Sequence, residues 1–342
     1  MIGIHDSPGG YSDRWLETCR QTRIPFKLVD CLASDIVQQC AGLSAVLWHW
    51  TLVDVREPLV ARQILAALQL TGLHVFPSVA TCWHYDDKVG QKFLLESIGA
   101  PLIPTWVFTD PAQAERWIAS ASWPKVFKLR CGAGSDNVRL VRSAAEAHAL
   151  CRRAFGPGFP ATPGYLHDAS NRLRQTAGWR DFAGKLRRVP QSIANTLRFR
   201  RFAPRQHGYV LFQEFLPGND FDTRVTIIGR RAFGARRFNR PNDFRASGSG
   251  QASFDPDQVD RRCVQIAFDV AHRLNSQSLA CDFLVDTNRE PRVCEISYCS
   301  VSSPVYDCTG YWDRDMNWFP GHFWPQDCIL EDVLAAVANR AG

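Results

Sequence analysis

The first third of the chain alternates short apolar runs with longer stretches of helical periodicity. Apolar runs at residues 2–5, 26–29, 45–48 and 74–77 read as buried strands. Residues 11–22 and 58–70 repeat apolar positions at helical spacing, the second with Pro58 near its start and Gly72 just past its end. Strands alternating with helices predict a parallel sheet covered on both faces. Asp86 and Asp87 then offer an N-cap for a helix reaching Ile98, stopped by Gly99 and Pro101. A strand at 106–108, a helix at 111–121, a strand ending near Leu129 and a helix at 144–155 follow. Beyond a basic stretch, 209–212 reads as a buried strand and 217–220 as a turn. Residues 222–228 alternate, so Asp222, Arg224 and Thr226 share one face and Val225 and Ile227 the other. An arginine-rich strand comes after Gly229. Residues 256–274 predict one core-facing helix, 281–286 and 291–297 a hairpin, and the chain ends in a helix from Asp327 to about Arg340.

The hairpin carries the first chemical signal. A four-residue loop at 287–290 sets Asp286 against Pro291 and therefore Asp282 opposite Glu295, both side chains on one face. Two opposed acids in an apolar sheet repel each other. A divalent cation between them relieves that, and oxygen donors mean magnesium, with manganese as the alternative ion. Ser297 shares the face of Glu295. The competing reading is one acid bound to an arginine and the other exposed. Lys128 lies inside an apolar strand, which is costly unless it finds a partner. It leads into Gly132 and Gly134, where backbone N–H groups can approach phosphate oxygens. A plain hairpin with an edge lysine is the alternative there. Lys88 stands in the first turn of its helix, where the positive end of the dipole disfavours a cation. A solvated lysine beside two aspartates also accounts for it. The stretch 213–250 runs a buried strand through a turn into strands with acid and guanidinium on one face. That suits a polyanion plus a metal, or an ordinary hairpin with a solvated face.

Composition narrows the class. At 342 residues, 45% hydrophobic and 22% charged, a soluble protein of two or three lobes is expected. No apolar run approaches the length of a membrane span, and Met1–Asp6 lack the basic start of a leader. Twelve cysteines include no C-x-x-C pair and no Cys/His group of zinc spacing, so reduced, buried thiols in a cytoplasmic protein are expected. Net charge is +6, yet residues 152–207 hold about twelve Lys/Arg against two acids, so the remainder is mildly acidic. Trp179, Phe182, Phe199 and Phe202 are interleaved with those cations. This segment reads as an insertion shaping a substrate entrance, with a nucleic-acid surface or a solvated insertion as alternatives.

Taken in order, the motifs resemble those of ATP-grasp enzymes, in particular the RimK-like branch of carboxylate–amine ligases. They are Asp87-Lys88 before a helix, Pro124–Lys128 before a glycine loop, Gln213-Glu214-Phe215-Leu216, Asp222-Thr223-Arg224, Asp243-Phe244-Arg245, Asp282 and Glu295. The tail around 310–313 also resembles members associated with surface-polysaccharide gene clusters. The resemblance implies an α/β chain with the ATP-grasp fold. Residues 1–83 would form an N-terminal parallel α/β domain, 84–212 one ATP-grasp lobe with the basic insertion 156–207, and 213–342 the second lobe and tail. It implies that Lys88 and Lys128 hold the α- and β-phosphates and that the loop with Gly132, Gly134 and Ser135 closes over the β- and γ-phosphates. Gln213 or Glu214 and Leu216 would meet adenine, and Asp220 the ribose. Arg224 and Arg245 would neutralise the γ-phosphate and an acyl phosphate. Asp282, Glu295 and Ser297 would hold magnesium. Two positions depart from the branch: Ser297 stands where an asparagine is usual, and Ala246-Ser247 follow Arg245 where Ser-Asn is usual. The implied activity is ATP-dependent amide formation through an acyl phosphate, on an amino acid or a uronic acid of a surface glycan. The dense arginines favour a large anionic acid. An ATP-grasp kinase, a nucleotide-binding protein without turnover, and a nucleic-acid binder are the competing readings, and a homo-oligomer is left open.

Overall fold

The computed structural model describes residues 1–132, 137–160, 205–240, 243–245 and 250–341. Three sheets carry it. The first consists of β1 (Ile2–His5), β2 (Phe26–Val29), β3 (Ala45–Leu47) and β4 (His74–Phe76), parallel throughout and ordered β2-β1-β3-β4. Its helices, Tyr11–Thr22 and Glu57–Leu70, form where the periodicity predicts them. Tyr11, Trp15 and Cys19 recur every four residues and are buried along one stripe.

The second sheet holds β5 (Thr105–Phe108), β6 (Lys125–Lys128), β7 (Val138–Val141) and β8 (Val210–Glu214), antiparallel and ordered β5-β8-β6-β7. Helices Pro111–Ser120 and Ala144–Phe155, capped by Asp110 and Ser143, close a core around Ile118, Phe127, Leu150 and Phe212.

The third sheet takes β9 (Phe221–Ile228), β10 (Arg231–Phe238), β11 (Ala252–Ser253), β12 (Ser278–Val285), β13 (Pro291–Ser297), β14 (Gly310–Trp312) and β15 (Trp318–Pro320). Its order is β13-β12-β9-β10-β14-β15, with β11 beside β10. The expected alternation in β9 holds: Val225 and Ile227 pack on helix Arg261–Arg273, leaving Asp222 and Arg224 for the opposite face. The C-terminal helix Pro325–Ala341 joins this sheet to the first. Cys328, Ile329 and Val333 share one core with Trp15, Ile228 and Phe233. Trp15 Nε1 donates to the Gln326 carbonyl at 2.9 Å, and Arg14 grips Asp327 at 2.7 Å.

Two local expectations are corrected. The stretch 256–274 is a 3₁₀ turn, Pro256–Gln258, followed by a separate helix, because the Asp260 side chain accepts the Arg262 N–H and starts a new N-cap. In the hairpin Val285, not Asp286, faces Pro291. The Asp286 carboxylate instead folds the turn by accepting the N–H groups of Asn288 and Glu290 at 2.8 and 3.0 Å. A bulge at Cys294 absorbs the extra residue, so Asp282 still pairs with Glu295. No helix among the described residues is long and apolar enough to cross a membrane.

Candidate active site

A cavity of about 630 Å³ opens where the three sheets meet. One end of it is built around Lys88. Asp87 caps helix Lys88–Ser97 by accepting the Gly90 N–H at 2.9 Å, and the Lys88 N–H donates to the Arg130 carbonyl at the end of β6. Within the helix, Gln91 ties it to β13 by accepting the Ile296 N–H at 3.3 Å. The buried Lys88 ammonium pairs with Glu295 at 3.0 Å and donates to the Gly132 carbonyl at 2.9 Å. Burial alone would lower its pKa, but Glu295 and Asp86 outweigh that and hold it above the usual lysine value. Those partners resolve the odd placement of a cation at a helix N-terminus. Asp86, at φ +55°, accepts the Gly132 N–H at 2.7 Å. Gly132 itself has φ +128°, a conformation that a side chain resists.

Lys128 is 5% exposed, and among the described residues it has no carboxylate partner; its Nζ meets Cys294 Sγ at 3.5 Å. An ammonium held this way in a cavity awaits an anion. Beside it, Gln213 donates to Thr105 Oγ1, and Glu214 pairs with the buried Lys125 at 3.0 Å, which fixes the strand leading to Phe215 and Leu216. Val126, Val138, Leu216 and Leu284 give this end an apolar lining, with Phe215 and Phe244 edge to face at 5.8 Å. Composition had not singled out Val126 or Leu284. They stand two residues from Lys128 and Asp282 on the same strands, so alternation from the suspected site residues points to them.

The third sheet contributes a charge network. Arg224 binds Asp282 through two hydrogen bonds of 2.6 and 2.8 Å. Arg237 grips Asp222 at 2.7 and 2.6 Å and also reaches Asp282 at 2.8 Å. Burial would raise the Asp282 pKa, but the two guanidiniums hold it far below the usual carboxylate range. The repulsion expected between Asp282 and Glu295 is therefore already answered by arginine and lysine, with a cation on each acid. In the sequence Arg237 stands only as one of the dense arginines; strand pairing sets it opposite Asp222. Arg245 lines the same cavity and is clasped by Asp243 at 2.7 Å. Ser297 also lines it and donates to the Cys299 carbonyl at 3.1 Å. Asp220 does not line it; its side chain is exposed on the turn, and Asn219 takes that place, bonded to both backbone groups of Val285. Gly134, Ser135 and most of the basic insertion lie outside the described residues.

The donor set fits magnesium. Among the described residues no group of three or more His, Cys, Asp or Glu side chains could cage a metal. Magnesium, however, is ordinarily held by one or two carboxylates plus substrate phosphates. Asp282 and Glu295 are two such carboxylates on one face, beside two lysines. Among the described residues the charged lining balances: Lys88, Lys128, Arg224, Arg237 and Arg245 against Asp86, Glu214, Asp222, Asp282 and Glu295. A polyphosphate would therefore need an accompanying cation to enter favourably.

The far end of the cavity belongs to the first sheet. Tyr11 stacks on His49 with ring centroids 3.6 Å apart, and its hydroxyl donates to the Ser300 carbonyl at 3.0 Å. No local pattern in the sequence had linked these three residues.

No protein-family model and no curated protein matches the chain. Solved structures do. A RimK domain ATP-grasp protein from Sphaerobacter thermophilus aligns with a TM-score of 0.53 at 16% identity, covering 89% of this chain and 93% of that one. The fold is ATP-grasp. The ATP-grasp ligase PsnB, solved with a minimal precursor, Mg and ADP, aligns at TM-score 0.55 and 15% identity over 98% of both chains. D-alanine–D-alanine ligase from Bacillus anthracis aligns at 0.52 and 12% over 99% of both. On this ATP-grasp scaffold the lysines, the acid pair and the apolar slot occupy one cavity.

Proposed function

We propose that this ATP-grasp protein is an ATP-dependent carboxylate–amine ligase. The observation that carries the reading is the convergence, in one cavity, of Lys128, without a carboxylate partner among the described residues, Lys88, Arg224, Arg245 and the opposed pair Asp282 and Glu295. Adenine enters the apolar slot and meets the backbone of 213–216. Lys88 and Lys128 bind the α- and β-phosphates and neutralise the leaving ADP. Asp282 and Glu295, with Ser297 beside them, would hold magnesium, which supplies positive charge at the phosphates when bound. Arg224 and Arg245 offset the charge of the transferring phosphoryl group and of the substrate carboxylate. A carboxylate oxygen takes the γ-phosphoryl group, ADP leaves, and the acyl phosphate is attacked by an amine held in line. Nitrogen replaces phosphate at the carbonyl carbon and loses a proton. The neighbours' chemistry is consistent with this, including one solved with Mg and ADP.

The test is product analysis. Phosphate release with Mg-ATP should require an acid and an amine together, and mass spectrometry should find the amide. Phosphoryl transfer to a hydroxyl, with no free phosphate, would make the protein a kinase. Mg-ATP binding without turnover across a broad acid and amine panel would leave a nucleotide-binding protein.

A further inference from the structure

The cavity changes character along its length. The ten charged lining residues among the described ones lie on the proposed nucleotide and acid-pair side. The other end is formed by Gly9-Gly10-Tyr11, by His49 and 51–53 after β3, and by 299–302 after β13, and none of these is charged. The Tyr11 hydroxyl is occupied by Ser300, whose carbonyl and Oγ it meets at 3.0 and 3.1 Å. His49 is clamped between Tyr11, stacked at 3.6 Å, and Tyr298, at 5.7 Å. Burial pushes its pKa down to about 3, so the ring is neutral at physiological pH. At the same end Val53 and Val301 also line the cavity, 69% and 68% exposed. Single exposed apolar residues are ordinary; here two line the same cavity as the aromatic stack.

Four of the described arginines that contribute to the positive field are paired with acids, while residues 161–204, which carry most of the basic segment, lie outside the described residues. Arg224 and Arg237 are held by Asp282 and Asp222, Arg245 by Asp243, and Arg231 by Glu331 and Asp332. A charged substituent placed against Tyr11, Val53 and Val301 would lose water and, among the described residues, meet no charged side chain in the lining of this end. An apolar body would gain from the same burial.

We infer that one substrate of the ligation carries an uncharged, apolar body, aromatic or branched aliphatic, seated between the Tyr11–His49 stack and Val53 and Val301, and that these residues set substrate choice. The assignment rests on the ligase reading of the same cavity and is an alternative to the large anionic acid expected from arginine density. It gives the two ends separate work: the charged end activates the carboxylate, and the neutral end selects it by shape and polarity.

The experiment titrates the full chain, saturated with magnesium and AMPPNP, with L-phenylalanine, L-leucine, L-glutamate and D-glucuronate. Phenylalanine and leucine should bind at least about ten-fold more tightly than the two diacidic or sugar acids. Val53→Asp and Val301→Asp change exposed positions that touch no nucleotide group. Each should cut that preference by about ten-fold while keeping the AMPPNP-induced rise in melting temperature. Equal or tighter binding of glutamate or glucuronate, binding by none of the four, or an unchanged preference in both variants overturns the assignment. The two readings fail separately. Apolar preference without phosphate release from any acid–amine pair refutes the ligase alone. Phosphate release with glucuronate and not with phenylalanine refutes the substrate assignment alone.

Discussion

At the scale of single residues, two side chains behave oppositely although both are buried charges. Among the described residues Lys128 has a thiol for company and no acid, so we read its burial as a cost carried for a ligand. Lys128→Ala should keep or raise the melting temperature of the free protein and lose most of the shift induced by Mg-ATP. A wild-type shift in that variant would falsify the phosphate role. Asp282 instead is the shared partner of Arg224 and Arg237. The sequence shows two opposed acids and therefore argues that neutralising one relieves strain. The arginines reverse that expectation, because Asp282→Asn leaves two guanidiniums facing an amide. We expect a loss of about 3–5 kcal/mol in urea unfolding at pH 7. The pH dependence follows from the depressed Asp282 carboxyl. Its contribution is complete above the unfolded value near ~3.9 and fades as pH falls through the lower folded value. The gap between wild type and variant should therefore be full at neutral pH and close only in acid. A gap absent at pH 7, or one that widens on acidification, contradicts the network.

At the scale of elements, most of the fold was legible because period and punctuation agreed. Helices Tyr11–Thr22 and Ala144–Phe155 and strands β1 and β2 lie where the apolar spacing sets them. What stayed hidden is long-range pairing. The opposition of Asp282 and Glu295 came out right only because the longer turn and the bulge at Cys294 cancel, and neither leaves a periodic trace. Arg237 was one arginine of a dense set, and its partner Asp222 emerged only when β10 was laid beside β9; Tyr11, His49 and Ser300 meet from positions as much as 289 residues apart. The helix carrying Lys88 depends on such a contact: Gln91 holds Ile296 N–H and donates to the His84 carbonyl at 3.1 Å. Gln91→Leu should cost about 1–3 kcal/mol by leaving those buried groups unpaired. It should also raise the KM for ATP, since Lys88 loses its fixed distance to Glu295. Normal ATP affinity in a destabilised variant would mean that Gln91 supports the fold and not the site.

At the scale of the whole molecule, the three sheets are joined unequally. The first and third share an apolar core through Trp15, Phe233 and the helix Pro325–Ala341. The second closes its own core around Phe127 and Phe212. Its joins to the rest gather near the cavity and are chiefly polar. Lys88 meets the Gly132 carbonyl, Asp86 the Gly132 N–H, Arg130 meets Asp87 at 3.1 Å, and Lys128 meets Cys294. Polar joins of this kind do not lock two bodies together as a shared apolar core does. The cations proposed to bind phosphate come from both sides of the cavity: Lys128 from the second sheet, Lys88 and Arg224 from the remainder. A polyphosphate that binds all three is worth more to a closed arrangement than to an open one, so it should shift the population towards closure. Solution X-ray scattering tests this. The radius of gyration should fall when magnesium and AMPPNP are added to the wild type, and should not change in Lys128→Ala, where one side of the bridge is gone. A radius that does not respond in wild type, under conditions where AMPPNP raises the melting temperature, would mean that the second sheet is already seated and that the cavity binds nucleotide as it stands.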